Sequence, residues 1–204
     1  MSIEVVTQEN RRAAIVRRGR RLEYLTIGWN SIEAIISIGA GIVAGSIALV
    51  GFGFDSVIEV SSGAVLLWRL VSGDHRERLA LKLVGVSFLA LAAYVAIDAG
   101  TTLWFRETPE KSYVGIGVAI LSLIVMPLLA SAKRKVAASI KSQAMHADSR
   151  QTDICAYLSA ILVFGLGLNA LLGWWWADPV AALAMVPIIA NEGIEALRGD
   201  TCCD

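Results

Sequence analysis

A chain of 204 residues that is 56% hydrophobic and only 18% charged has more apolar side chains than a soluble domain of this size can bury. Its mean hydropathy of +0.63 indicates a protein whose surroundings are membrane lipid. The formal net charge is zero, and the charged residues cluster in short runs between apolar stretches. This balance gives no support to a nucleic-acid partner.

Six apolar stretches approach the roughly 20 residues that a helix needs to cross a bilayer. The sequence therefore predicts an all-α integral membrane protein with six transmembrane helices. The predicted spans are 25–44, 46–68, 79–104, 113–130, 154–172 and 179–197. Together they form one domain, 25–197, which follows a basic segment, 1–24, and precedes a short tail, 198–204.

Lysine and arginine are distributed unevenly between the two sides of the predicted bundle. The segment 1–24 is rich in arginine, and the second-to-third and fourth-to-fifth connections are also basic, whereas the opposite connections contain only Arg106 and Lys111. By the positive-inside rule both termini are expected in the cytoplasm. No apolar signal-peptide region precedes the first span, so we expect a multi-pass protein of a plasma membrane or a bacterial inner membrane.

Local signals predict how some spans begin and pack. Only Gly45 separates the first two spans, which predicts a tight helical hairpin, and Gly41 and Gly45 form a small-residue spacing that favours close helix contacts. Asp178 followed by Pro179 is typical of an N-cap and first helical position, which predicts that the last span begins there.

The second span contains two acidic residues, Asp55 and Glu59, where each ionised group costs roughly 2.5–3.5 kcal/mol on insertion scales. Their spacing of four residues places both carboxylates on one helical face, one turn apart. Two carboxylates this close repel each other unless they share a proton or a cation lies between them. The pattern favours a metal site, with a buried proton-sharing pair as the alternative.

The fifth span follows a polar run in which Ser149 and Asp153 are four residues apart. His146 lies one further turn back on the same face, whereas Asp148 is rotated away from it. For His146 and Asp148 a solvated helix entrance is the favoured interpretation and a metal site the alternative. Asp153 lies at the edge of its apolar stretch, so we expect a water-filled cavity to join it to Glu59.

Two further polar positions lie inside the predicted spans. Glu33 in the first span is a candidate proton carrier or metal-site partner, with an interhelical hydrogen bond as the alternative. Cys155 in the fifth span is predicted to be a small hydrophobic residue. Cys202 and Cys203 belong to the tail and are expected to be reduced and inert.

The motif Asp55-x-x-x-Glu59, with the small-residue runs 46–49 and 61–63 around it, resembles the second span of the cation diffusion facilitator family. The runs 147–153 and 176–179 resemble the family's fifth span and the start of its sixth. The resemblance covers all six spans, and the order and spacing of these motifs are more specific than any one of them.

This resemblance implies a secondary transporter, usually a homodimer, that exports zinc, manganese, iron, cobalt or cadmium in exchange for protons. The divalent ion is then the transported substrate, with zinc the commonest, and protons are the counter-ion. By position, Asp55 and Glu59 are implied as second-span ligands, and Ser149 and Asp153 as the fifth-span pair. The family's soluble domain is expected to be absent, because seven residues follow Leu197.

Ser149 stands at a position where the family usually has histidine or aspartate. The identity of the transported ion and the activity are therefore left open. An oxygen-rich site favours manganese or iron, whereas zinc also binds carboxylates well. The missing strong ligand leaves a non-transporting metal sensor or accessory subunit as an alternative function. The only histidines are His75 and His146, and neither forms a hydrolase-type motif, so we do not expect an enzyme.

Overall fold

The computed structural model describes residues 2–72, 77–106, 108–140 and 142–198. Six helices make up almost all of these residues: α1 Ser2–Ala44, α2 Ile47–Ser72, α3 Glu77–Phe105, α4 Tyr113–Ile140, α5 Gln143–Leu172 and α6 Ala177–Arg198. Each helix contains a stretch long and apolar enough to cross a membrane. The predicted all-α, six-span architecture is confirmed, while Cys202 and Cys203 lie outside the described residues.

Several helices are longer than the sequence predicted. The helix α1 begins at Ser2, and the predicted polar connection 131–153 is mostly helical, because α4 continues to Ile140 and α5 begins at Gln143. Lys133 and Arg134 on α4 pair with Asp148 and Asp153 on α5 in this region. Ser142 caps α5, since its hydroxyl accepts a hydrogen bond from the backbone N–H of Met145.

The helix α2 occupies the centre of the bundle. It packs against α1, α3, α5 and α6, while α3 forms its largest contact with α6 at one side. Fully buried apolar side chains such as Leu49 and Phe52 on α2 and Leu162 on α5 form the core. Polar residues on α2 are therefore held among other helices and kept away from lipid.

The predicted hairpin between the first two spans is confirmed. Gly45 lies between α1 and α2 with a φ of 63°, a left-handed conformation that glycine adopts without steric cost. Gly41 faces α2, where a Cβ at this position would lie 2.7 Å from a side-chain methyl of Val50. The small residue thus allows close contact between α1 and α2 of one chain.

The end of the bundle at which α2, α4 and α6 begin is called here the tryptophan end, after the stacked rings of Trp174 and Trp176. Asp178 is not the N-cap of its own helix, because α6 begins at Ala177. Its carboxylate instead accepts hydrogen bonds from the hydroxyl of Ser46 at 2.5 Å and the backbone N–H of Ile47 at 3.1 Å. The prediction that Asp178 is the N-cap of the last span was therefore wrong. Its side chain instead accepts hydrogen bonds from donors at the start of α2, across the bundle.

The opposite end, which contains the connection between α4 and α5, is called the basic end. Arg17, Arg18, Arg20 and Arg21 on α1 lie near it, because Gly19 packs against Val136 on α4 and Met145 on α5. Lys133, Arg134 and Lys135 are at the same end of α4. The two ends of the bundle thus differ strongly in positive charge.

Candidate functional site

The acidic pair of the second span lies inside the bundle. Asp55 and Glu59 are 4% and 1% exposed, one turn apart on the face of α2 that is turned away from the exposed Phe54 and Val57. The central position of α2 surrounds both carboxylates with other helices. The structure therefore places the two residues on one buried face, as their spacing predicted.

Glu33 on α1 lies beside this pair. Its Oε2 atom accepts a hydrogen bond from the indole N–H of Trp29 at 2.7 Å, and its Oε1 accepts one from the hydroxyl of Ser56 at 2.7 Å. Ser56 follows Asp55 directly on α2, so Glu33 is tied to the helix that carries the acidic pair. The interhelical hydrogen bond expected for Glu33 is present.

Cys155 on α5 contacts one of these acidic side chains. Its thiol donates to Oε1 of Glu33 at 3.7 Å. The side chain is 1% exposed. The prediction of a small buried residue is confirmed, because Cys155 belongs to the hydrophobic core, and the fold adds a contact between its thiol and Glu33 that the sequence did not predict.

Asp153 lies on a different face of α5 from Cys155, whereas Ser149 is fully buried one turn before Thr152. The hydroxyl of Ser149 donates to the backbone carbonyl of His146 at 2.6 Å, and Asp153 forms an ion pair with Arg134 on α4. Successive helical residues are rotated by about 100°, so Asp153 points well away from the direction of Thr152, which contacts Glu59. The structure does not bring Asp153 against Asp55 and Glu59, and His146 is exposed.

A buried ionic cluster connects the acidic pair to the basic end. The ammonium group of Lys133 lies 2.5 Å from Oδ2 of Asp148 and 3.2 Å from Oε2 of Glu23. It also donates to the hydroxyl of Thr152 at 3.3 Å, and that hydroxyl lies 2.8 Å from Oε1 of Glu59. The sequence placed Asp148 at a solvated helix entrance, but the residue is buried because α4 supplies its counter-charge.

Glu23 and Lys133 were not predicted as site residues, since each lies outside the apolar stretches that defined the spans. One signal was available: Glu23, Thr26, Asn30, Glu33 and Ser37 follow each other at alternating spacings of three and four residues. All five are at most 1% exposed, so α1 turns a continuous polar face into the bundle.

Part of this polar face has unsatisfied hydrogen-bonding groups. Both side-chain polar atoms of Asn30, the hydroxyl of Ser37 and Oε1 of Glu23 are buried without a hydrogen-bond partner among the described residues. Such atoms are rare in proteins and costly inside a membrane. A line of them through the bundle indicates a path for water, protons or ions.

Residues 24–199 match the cation efflux transmembrane domain, which is most of the chain. The chain belongs to the cation efflux family. The resemblance to cation diffusion facilitators is thereby confirmed, and with its six spans this cation efflux chain is a multi-pass membrane protein of a transporter family.

Curated relatives of this cation efflux chain come from distant organisms. Transmembrane protein 163 of Xenopus laevis is 28% identical over 86% of the chain and 65% of its own length. The cation-efflux pump FieF of Shewanella oneidensis is 21% identical over 69% of the chain and 50% of its own length. The uncharacterized transporter YdbO of Bacillus subtilis is 28% identical over 90% of the chain and 67% of its own length. The chain thus spans between half and about two thirds of these relatives.

Proposed function

We propose that this chain exports a divalent metal cation from the cytoplasm in exchange for protons, through a site built on Asp55 and Glu59. Zinc is the first candidate ion, followed by manganese, iron, cobalt and cadmium. The observation that carries the proposal is the burial of two acidic side chains, one turn apart, on the central helix of a cation efflux domain. Buried carboxylates in a membrane are functional by default, because each is costly to insert.

The polar face of α1 supports a route to this site. It begins with Glu23 near the basic end and reaches Glu33, which is hydrogen-bonded to Ser56 beside the acidic pair. In our proposal the basic end is cytoplasmic, since the positive-inside rule puts its arginines and lysines there. The ion then enters beside Glu23 and leaves toward the tryptophan end.

Ser149 and Asp153 remain part of the proposal through the family resemblance. To act as a ligand Asp153 must leave Arg134 and turn toward the acidic pair. Among residues 2–72, 77–106, 108–140 and 142–198, no three acidic, histidine or cysteine side chains are already arranged to hold an ion. Helix movements of this kind are the basis of alternating access in transporters.

The decisive experiment is metal uptake by purified protein in liposomes under an imposed pH gradient. Asp55→Asn and Glu59→Gln are expected to abolish uptake and to weaken zinc binding by more than about 100-fold, since even partners outside the ligand shell typically contribute 10–100-fold. Asp98→Asn is a matched control, because this acid lies on α3 beside the outward-facing Tyr94. Uptake that is unchanged in both site variants would exclude the proposed site.

A second candidate function is a metal sensor or accessory subunit that does not transport. The observation in its favour is that the ammonium group of Lys133 already neutralises the carboxylates of Glu23 and Asp148 close to Glu59. This part of the bundle therefore needs no metal ion to balance its charge. The same liposome experiment separates the two functions. Zinc binding that depends on Asp55 and Glu59 without any uptake would select the sensor.

We also propose that the chain forms a homodimer, as the family resemblance implies. Gly41 is not available for such a contact, because it packs against Val50 in the same chain. Native mass spectrometry in several mild detergents and in lipid discs tests the assembly. A monomer in all of them would contradict the proposal.

A further inference from the structure

The thiol of Cys155 is a metal-binding group at the centre of the bundle for which neither the sequence patterns nor the family motifs provide a role. Its thiol donates to Glu33 on α1, and Thr152, one turn before it on α5, donates to Glu59 on α2. A free cysteine in an apolar core is usually a small hydrophobe. Cys155 is part of the hydrophobic core, but Glu33, to which it donates, is hydrogen-bonded to Ser56 beside Asp55.

We propose that Cys155 binds the transported ion as a thiolate together with Asp55 and Glu59, and that this sulfur ligand makes the site prefer zinc and cadmium to manganese. The inference rests on the proposed function and specifies its ligand set and ion class. Thiolate ligands favour soft ions, whereas sites made only of carboxylates, carbonyls and water suit magnesium, calcium and manganese.

An independent observation points to a ligand at this position. Glu59 is 1% exposed, and its Oε2 atom is buried without a hydrogen-bond partner among the described residues. Its other oxygen is held by the hydroxyl of Thr152, one turn before Cys155 on α5. A buried carboxylate oxygen with free lone pairs, on a residue that contacts α5 one turn from Cys155, is one half of a coordination site.

To reach the acidic pair of Asp55 and Glu59, Cys155 needs to move less than Asp153. Thr152 and Cys155 share the face of α5 that contacts Glu59 and Glu33, so the helix need not turn for the thiol to reach the acidic pair. Among the described residues these side chains do not converge on a common point, so Cys155, Asp55 and Glu59 must draw together to bind an ion. Binding would draw sulfur to about 2.3 Å and carboxylate oxygens to about 2.0–2.2 Å from a zinc ion.

The chemistry of binding is a simple exchange of a proton for a metal ion. As the metal–sulfur bond forms from a sulfur lone pair, the S–H bond breaks and the proton passes to Oε1 of Glu33, to which the thiol already donates. No group is oxidised or reduced. Trp29 and Ser56 already donate to the two oxygens of Glu33, so we do not include Glu33 among the ligands.

The test uses the full-length protein in lipid discs, with cobalt(II) and zinc as probes. Cobalt(II) bound to a thiolate gives a near-ultraviolet charge-transfer band, and X-ray absorption of the zinc form is expected to show a sulfur neighbour at about 2.3 Å. Cys155→Ser should remove both signals while keeping a hydroxyl to donate to Glu33. The double variant C202S/C203S is the matched control and should retain both, because its thiols lie in the tail.

Ion preference is the second readout. Cys155→Ser is expected to weaken zinc and cadmium binding by more than about tenfold while manganese binding changes much less, since only the soft ions lose a preferred ligand. If the wild-type protein takes up metal but shows no sulfur neighbour, Cys155 is not a ligand and the proposed function stands. If it binds no metal, the proposed function fails with the inference. A sulfur neighbour without uptake supports the ligand set and contradicts transport.

Discussion

The ammonium group of Lys133 lies 2.5 Å from a carboxylate oxygen of Asp148, and both side chains are almost completely buried, at 0% and 4% exposed. The pair joins α4 to α5, and Glu23 on α1 adds a second negative charge at 3.2 Å. One cation thus holds three helices together near the basic end. The contact explains how Lys133 and Asp148 are accommodated inside the bundle.

We predict that Lys133→Met destabilises the fold strongly. It leaves Glu23 and Asp148 as buried acids without a counter-charge, and removing one partner of a buried ion pair typically costs about 3–5 kcal/mol. For a chain of this size that corresponds to a fall in Tm of roughly 6–20 °C. Thermal unfolding in detergent measures the change.

The control for this variant is Lys135→Met, which removes an exposed ammonium two residues away on α4. It is expected to change the free energy of unfolding by no more than about 0.5 kcal/mol. Glu23→Gln combined with Lys133→Met should recover part of the lost stability. Equal Tm values for Lys133→Met and Lys135→Met would show that the buried cluster is not structural.

Asp178 supports a second prediction at the tryptophan end. Asp178→Ala removes the acceptor for Ser46 and for the backbone N–H of Ile47, both of which are buried. An unsatisfied buried donor costs about 1–3 kcal/mol, so the Tm should fall. Asp178→Asn keeps one acceptor oxygen and should lie between Asp178→Ala and the wild type. A Tm for Asp178→Asn below that of Asp178→Ala would contradict this explanation.

The fifth-helix ligands give a third prediction. If Ser149 faces the ion in the binding conformation, Ser149→His should increase zinc affinity more than manganese affinity, because imidazole suits the softer ion. Zinc binding should also become more sensitive to pH near about 6–7, where histidine must lose its proton to bind. Binding of both ions at several pH values measures this, with Tm as the check on folding. An unchanged zinc-to-manganese ratio in a folded variant would exclude Ser149.

Asp153→Asn tests the same helix from the other position. It is expected to abolish uptake if Asp153 leaves Arg134 to bind the ion. Arg134→Gln is the informative comparison, since it breaks the same ion pair without removing a ligand. Loss of uptake in Asp153→Asn alone supports the ligand role. Loss in both would assign the effect to the ion pair.

The last prediction concerns pH and the acidic pair. Zinc binding to the wild-type protein should weaken as the pH is lowered, because Asp55 and Glu59 must be ionised to bind a metal and protons compete with it. In Glu59→Gln one of these proton-binding groups is missing, so whatever affinity remains should vary less steeply with pH. Calorimetric titrations with zinc over a range of pH measure both slopes. Equal slopes would mean that Glu59 exchanges no proton for the ion.

Much of this protein is determined by local sequence. The lengths of the apolar stretches predicted six spans, since the thickness of a bilayer sets the length of a spanning helix. The single residue Gly45 predicted the hairpin, because so short a connection forces adjacent helices together. The spacing of Asp55 and Glu59 predicted a shared face, since four residues are about one helical turn.

The tertiary structure decided which polar residues of different helices meet. The sequence shows that Asp153 and Cys155 lie on different faces of α5, but only the packing turns Cys155 toward Glu33 and Asp153 toward Arg134. Thr152 and Glu59 are 93 positions apart, and Cys155 and Glu33 are 122 apart. Helical periodicity relates side chains within a few turns of one helix, whereas contacts over such separations depend on how each helix is rotated in the bundle.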